Sequence, residues 1–475
     1  MRVIAFYLPQ FHPIPENDQW WGKGFTEWTN VTRAKPLFPG HYQPRLPADL
    51  GFYDLRLPEV RKAQAELARD HGIHGFCYHY YWFNGKKLLD LPLREMLASG
   101  EPDFPFCLCY ANENWTRRWD GLEQDILIRQ EHSSENDRRF IRDVLTVMRD
   151  RRYIKVNGRP LLLVYRALLF PDPVATTTIW REEAEQAGFD GLYLCKCQTF
   201  GDDTPPAVQG FDAAVEFPPH GFVIPNRPEL EALIKKNLPS FAGNVFDYSD
   251  VARHLMIREW PDYPLFKTVM LGWDNSARSR DRAGIFHNFS FDYYERWLAR
   301  VAARTIRRYA GDERLVFINA WNEWAEGTYL EPDQQYGNRY LIATDQAIRS
   351  VLNLEPMLDQ NRSAGTGDAD SRQDADLYQY LDQRDRIETL LVQCIQKKDH
   401  ELSQLRNQLD EQIKYSANKD HELSQLSDKL RQVEMEAAEC EAILATVYET
   451  RGWWVLNKCS RFDHRLARRR LGPAS

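Results

Sequence analysis

Apolar residues in the first three quarters of the chain fall into short β-rich runs, separated by stretches with helical periodicity. The runs are "RVIAFYL" (2–8), "IHGFCYHYYW" (73–82), "PFCLCYA" (105–111), "PLLLVYR" (160–166), "LYLCKC" (192–197), "AAVEF" (213–217), "LFKTVML" (265–271) and "RLVFINAW" (314–321). Helical intervals include 58–70, 134–150, 178–187, 291–309 and 338–352. Strands alternating with helices imply parallel pairing, since a helical crossover returns the chain to start the next strand in the same direction. Eight such repeats predict an α/β fold, a (β/α)8 TIM barrel. A doubly wound sheet is the alternative. It is disfavoured because the first strand-to-helix turn carries no G-x-G-x-x-G and no phosphate loop.

Barrels of this kind place their chemistry at the C-terminal ends of the strands. Six runs end in polar and aromatic residues: "YLPQFH", "YHYYWFN", "ANENWTRRWDG", "VEFPPHG", "GWDN" and "WNEWAEG". An aromatic-walled cleft at the barrel mouth is therefore expected.

Beyond the barrel, assigned to residues 1–355, the pattern changes. Residues 356–376, which include "NRSAGTGDADSRQDAD", are small, polar and acidic and suit a linker. "KDHELSQL" then occurs twice, at 398–405 and 419–426, an offset of three heptads. With Leu402 as position a, 13 of the 17 a/d positions from Leu391 to Val447 are apolar, which predicts a coiled-coil helix over 377–450. Gln412, Ser416 and Lys419 are successive polar core positions, so the register should break there. A solitary charged helix is the plainer reading. The tail, 451–475, has seven Lys/Arg against one Asp, with tryptophans beside leucines. It suits a basic amphipathic helix on an anionic membrane surface; a solvated tail and a partner-docking segment are the other readings.

Composition narrows the partners. A net charge of −8 offers no basic field for nucleic acid. Of 14 tryptophans, 12 precede residue 325. Indoles beside polar groups suit sugars, with their apolar C–H faces and hydroxyl edges, although any one of them can simply fill core. Cys107/Cys109 and Cys195/Cys197 each alternate onto one sheet face, and no Cys or His spacing matches a zinc site. Reduced core thiols are expected, with no metal and no cofactor. The N-terminus lacks a signal peptide's long apolar segment, and no stretch approaches the ~20 apolar residues of a membrane span. The expected location is cytoplasmic, with peripheral contact to the anionic inner membrane through the tail.

The most pointed chemistry follows the last run, in "INAWNEWAEGTYLEPD" (318–333). Glycosyl transfer needs a protonated carboxyl beside an ionised one. Burial beside indoles raises a carboxyl pKa, and so does a neighbouring carboxylate. Glu323 and Glu326 flank Trp324. In an extended segment they would face opposite sides; in a tight turn, which Gly327 permits, they converge. Glu331 reads as a loop residue, and a solvated acidic loop is the bland alternative for all three.

"FINAWNEWAEGTYLEP" resembles the last-strand signature of glycoside hydrolase family 99, the endo-α-mannosidase and endo-mannanase family. The chain is still more similar to the family-99-like WbsX-type proteins of bacterial lipopolysaccharide O-antigen clusters. The stretches "FYLPQFHPIPENDQWWGKGFTEWTNV", "FCYHYYWFNGKKLLDLPL", "CLCYANENWTRRWDG" and "GWDN" carry this resemblance, which covers roughly residues 1–350. On the N-E-W-x-E-G match it implies that Glu323 assists attack by the sugar's own 2-hydroxyl, forming a 1,2-anhydro sugar. Glu326 would protonate the leaving group and later activate the acceptor. Specificity does not carry over, because elsewhere the sequence differs from the mannosidases.

Substrate contacts are expected from Tyr7 and Gln10, from Glu27 and Trp28 in "FTEW", and from His79, Tyr80 and Trp82. They are also expected from Glu113, Asn114, Trp115, Arg118 and Asp120 in "NENWTRRWD", from Trp273 and Asp274 in "GWDN", and from Trp321, Asn322 and Trp324. An ion-paired structural loop, or a core histidine at His79, is the competing reading. The expected function is a retaining carbohydrate-active enzyme of bacterial surface-polysaccharide biosynthesis, acting on an oligosaccharide or lipid-linked glycan. A nucleotide-sugar glycosyltransferase and a non-catalytic glycan-binding scaffold are the alternatives. Against the former, the only D-x-D strings, 368–370 and 374–376, lie in the linker. The coiled coil implies homo-oligomers or a partner. Deleting 451–475 should release the protein from anionic vesicles; unchanged co-sedimentation would refute the membrane reading of the tail.

Overall fold

A computed structural model describes residues 1–117, 122–220 and 227–352, and further on 397–398, 400–409, 424–443 and 445. The chain divides into two compact units, Met1–Arg362 and Ser363–Ser475. The expected linker and basic tail lie outside the described residues, as does much of 377–450.

Every apolar run forms strand. They are Arg2–Tyr7, Gly75–Phe83, Phe106–Tyr110, Arg159–Val164, Tyr193–Gln198, Ala213–Glu216, the pair Leu265–Phe266 and Thr268–Met270, and Leu315–Asn319. From the first to the sixth, each pairs in parallel with the next. The seventh run is interrupted at Lys267. Its first half pairs with Ala214–Val215, its second with Phe317–Asn319, and Leu315–Ile318 return to Arg2–Ala5. The nine strands thus form a nearly closed parallel barrel with helices. The step between the two short strands is made by the chain itself.

The interruption has a chemical counterpart. Lys267 is 1% exposed, its Nζ lies 2.9 Å from Glu216 Oε1, and the Thr268 hydroxyl donates to the Glu216 carbonyl. Such a buried pair adds little net stability, because desolvation offsets its attraction; losing one partner is what costs.

Strands covered on both faces read as continuous apolar runs. Alternation still decides which side each residue takes. In Gly75–Phe83, His79 turns inward, its ring 5.9 Å from that of Phe6 and 5.9 Å from that of Tyr165. Tyr80 and Trp82 turn outward onto Phe140 of the helix Ser134–Met148, at 6.4 and 5.5 Å. Cys77, Cys107, Cys109, Cys195 and Cys197 are free and buried.

Helices match their expected intervals closely at Pro58–Asp70, Ser134–Met148, Phe291–Arg308 and Arg339–Leu352. The helix expected at 178–187 instead begins at Pro173, where the Asp172 side chain accepts from the Ala175 N–H and proline suits the first turn. No helix among the described residues is long and apolar enough to cross a membrane.

In the second unit, 400–409 and 424–443 are helical. Leu402, Leu405, Leu426, Leu430 and Val433 are half-buried, so the apolar a/d positions share the less exposed face. Lys398 Nζ reaches Glu436 Oε2 at 2.9 Å and Arg406 reaches Glu434 at 3.4 Å, so these ion pairs link the two stretches within one chain.

Gly75 starts the second strand where a Cβ would lie 2.6 Å from the Pro105 carbonyl oxygen and 2.9 Å from Ile154 Cδ1. Backbone cannot yield as a flexible side chain does. Gly75→Ala should therefore cost about 1–3 kcal/mol, read from urea denaturation, and an unchanged midpoint would contradict this packing.

Candidate active site

The chain leaves the last barrel strand at Asn319 and folds back at once. Asn322–Glu323 pair antiparallel with Thr328–Tyr329, around a single 3-10 turn at Trp324–Glu326. Gly327 closes the turn at φ 65°, and a Cβ there would also come 2.9 Å from Arg45 Nε. Glycine is required both by conformation and by space.

This turn brings Glu323 and Glu326 to one guanidinium. Arg278 Nη2 lies 3.1 Å from Glu323 Oε1 and 3.0 Å from Glu27 Oε2, while Nη1 lies 2.9 Å from Glu326 Oε1. Nη2 also reaches Gln10 Oε1 at 3.3 Å, and Gln10 Nε2 donates to the Tyr81 hydroxyl at 2.7 Å. The Glu323 side chain is 5% exposed and that of Glu326 26%. Burial pushes the Glu323 carboxyl well above the usual range; Arg278 opposes this, and Glu326 and Glu27 reinforce it. A carboxyl that resists ionisation beside a more open one is a pair able to divide acid and base roles.

Aromatic residues flank the cluster. Tyr81 meets Trp115 at 5.1 Å, and Trp115 meets Trp20 at 5.8 Å. Elsewhere Phe217 meets Tyr165 at 5.1 Å and Phe200 meets His220 at 4.2 Å. Arg166 lies 4.1 Å over the Phe200 ring and 2.7 Å from Glu113. Burial lowers the His79 pKa, so its imidazole is neutral near pH 7. Among the described residues, no three His, Cys, Asp or Glu side chains are grouped to hold a metal ion.

Two buried acids hold this arrangement from behind. Glu331 accepts from the Tyr53 hydroxyl at 2.8 Å, Gln64 Nε2 at 2.6 Å and Trp324 Nε1 at 2.7 Å. It is a loop position, as expected, yet fully buried. Asp274 accepts from Gln43 Nε2 at 2.7 Å and lies 2.7 Å from His41 Nε2. Its backbone N–H donates to the Glu326 carbonyl at 2.7 Å. Arg278 follows the short 3-10 turn Asn275–Ala277, so Asp274 ties the arginine's loop to the glutamates' loop.

Several residues expected to contact substrate have partners within the protein. Tyr80 and Trp82 face the outer helices, Trp82 Nε1 donating to Asp143 at 2.8 Å, because alternation from His79 sends them outward. Tyr7 gives its hydroxyl to Gln64 at 2.7 Å, and Trp28 gives its indole N–H to the Tyr53 carbonyl at 2.8 Å. Trp321 packs on Phe76 at 5.0 Å, and Trp324 stacks on Tyr329 at 3.8 Å. Asn322 clamps the Leu8 backbone at 2.8 and 3.0 Å, and Asp274 is sealed in its own network. These eight are engaged with the surrounding protein.

Gln10 and Glu27 join the Arg278 cluster, and His79, Glu113 and Trp115 lie among the flanking residues. Asn114 is exposed and accepts from the Gln130 N–H at 2.7 Å; Trp273 is half-buried beside Gly284. Arg118 and Asp120 lie outside the described residues. Sequence reasoning missed Arg278, Tyr81, Tyr165 and His220. Tyr81 was legible, being two residues from the inward His79. Arg278, one of three arginines in "SARSRDRAG", carried no local signal.

Residues 3–344 match the family model described as "Glycosyltransferase WbsX". The chain belongs to this family. Two curated relatives, both described as "Uncharacterized protein WxcX" from strains of Xanthomonas campestris pv. campestris, are 49% identical over 346 residues. Those residues make up 73% of this chain and 49% of each relative, so the WbsX-family chain spans about half the length of the curated relatives it matches. Among solved structures, a "Glycoside hydrolase-like protein" is 16% identical, covering 73% of this chain and 93% of its own, with a TM-score of 0.47. A GH99 endo-alpha-mannosidase from Bacteroides thetaiotaomicron is 14% identical, covering 75% and 98%, with a TM-score of 0.46.

Burial raises the Glu331 pKa from 4.5 to about 7. The folded protein then holds a proton that the unfolded chain has lost. This contribution is fully present below pH 4.5 and gone above about pH 7. Relative to Glu331→Gln, wild type should lose up to about 3 kcal/mol across that window in urea denaturation. Parallel pH curves for the two proteins would rule this out.

Proposed function

We propose that this WbsX-family chain is a retaining carbohydrate-active enzyme of surface-polysaccharide biosynthesis, with Glu323 and Glu326 as its catalytic pair. The observation that carries this reading is their convergence on Arg278, one deeply buried and one a quarter exposed. Family membership supports action on glycans, and the flanking tyrosines and tryptophans suit sugar faces. We read the nine-strand sheet as a (β/α)8 barrel with an interrupted seventh strand, followed by a coiled coil. The basic tail would hold the enzyme at the cytoplasmic membrane face, beside lipid-linked glycans.

In this reading Glu323 removes the proton of the sugar's 2-hydroxyl while that oxygen attacks the anomeric carbon. The bond to the leaving oxygen breaks, and Glu326 gives that oxygen its proton. In the second half Glu326 takes a proton from the acceptor hydroxyl, whose oxygen opens the 1,2-anhydro ring, and Glu323 returns its proton to the 2-oxygen. Two inversions at one carbon give retention. Water as acceptor gives hydrolysis; a sugar hydroxyl gives transfer.

Glu323→Gln and Glu326→Gln should each lower cleavage or transfer on lipid-linked oligosaccharides by about 10²–10⁴-fold. Transfer that survives Glu323→Gln, with saturable sugar-nucleotide binding, would replace this mechanism with the nucleotide-sugar one. Tight glycan binding without turnover in the wild type would leave a scaffold.

A further inference from the structure

Glu323 presents a contradiction that the catalytic pair alone does not resolve. A base on a sugar hydroxyl must be ionised, yet Glu323 is buried and stands beside two further acids. The charged and titratable groups that face it are Arg278 from the loop after the seventh run, Glu27 from the helix Glu27–Arg33, and Glu326 from its own turn. Tyr81 of the second strand faces the same group. Desolvation and both carboxylates favour the neutral acid. Arg278 works the other way.

We infer that Arg278 is the positioning residue of the glutamate pair, tying Glu27, Glu323 and Glu326 into one cluster and determining which of them holds the proton. This rests on the reading that Glu323 and Glu326 carry out the chemistry. The fork of the guanidinium divides the work. Nη2, on the inner side, serves Glu27, Glu323 and Gln10, while Nη1 serves the more exposed Glu326. A glycan entering the mouth meets the outer bond first. Sugar hydroxyls that replace the Nη1–Glu326 contact remove the cation from Glu326 and favour its uptake of a proton as the acid. The cation stays with Glu323 and favours its ionised form, the base. The same arginine thereby gives opposite protonation to two acids only three residues apart. A lysine, with one point of charge, cannot hold both sides of this fork.

The test is a titration of Glu323 in the full-length protein without any glycan. It is read as the infrared carboxyl signal that disappears in a Glu323→Gln reference. Removing the cation disfavours the charged form, so Arg278→Gln should move the Glu323 titration upward by about one pH unit or more. Arg278→Lys should recover part of that shift. Glu27→Gln removes a like charge and should move the titration downward, which keeps the inference testable if Arg278→Gln does not fold. An unmoved Glu323 titration in Arg278→Lys and Glu27→Gln, with melting temperatures near wild type, would overturn it. So would equal shifts from Arg278→Gln and Arg278→Lys. The titration needs no turnover, so a shift in a protein that processes no glycan upholds the role of Arg278 and removes only the catalytic reading. Glycan turnover with no shift does the reverse.

Discussion

The Glu331 carboxylate collects three hydrogen bonds from three separate parts of the chain: Tyr53, Gln64 and Trp324. Each donor is buried. Without the acid, a hydroxyl, an amide and an indole N–H would all lose their acceptor, at about 1–3 kcal/mol for each group left unmet. The network extends through Tyr53 to Asn322 and through Gln64 to Tyr7. It thereby joins the last strand's turn to the first strand. The position of Glu323 depends on this knot, because Trp324 and Asn322 flank it on either side.

Four acids near the barrel mouth show how environment sorts one chemical group into different tasks. Asp274 is held low by His41 and Arg45 despite burial and serves as a brace. Glu331 is raised by burial and serves as a hydrogen-bond hub. Glu323 is raised well above the usual range by burial, with the two acids beside it adding to this and Arg278 opposing it. Glu326 keeps the outer place, with a quarter of its side chain open. Charge placed this close is costly unless a cation answers it, and Arg278 answers it from a loop that Asp274 fastens to the Glu326 carbonyl. The brace and the counter-charge are parts of one device.

Much of the frame was legible along the chain. The apolar runs became the barrel strands, and Gly327 marked the turn that lets Glu323 and Glu326 converge. Where local reasoning failed, the cause was specific. Position at the strand ends points the tryptophans and tyrosines after the runs toward the cleft, whereas period-two alternation sends Tyr80 and Trp82 outward from an inward His79. Trp28, Trp321 and Trp324 behave as core because each finds a large apolar neighbour and two of them a buried acceptor. Glu331 had no distinguishing local feature, since two of its three donors, Tyr53 and Gln64, lie 278 and 267 positions away along the chain.

The sequence by itself determined the order of strands and helices, the parallel pairing that follows from that order, and the turn carrying the glutamates. These depend on neighbours within a few residues: side-chain periodicity, a capping aspartate, a glycine at positive φ. Tertiary structure alone decided which acids share a cation and which are sealed behind them. Arg278 meets Glu27 across 251 positions of chain and Glu331 meets Tyr53 across 278. Pairings of that kind have no periodicity to reveal them. They arise only once the barrel nearly closes and brings the strand ends to a common mouth.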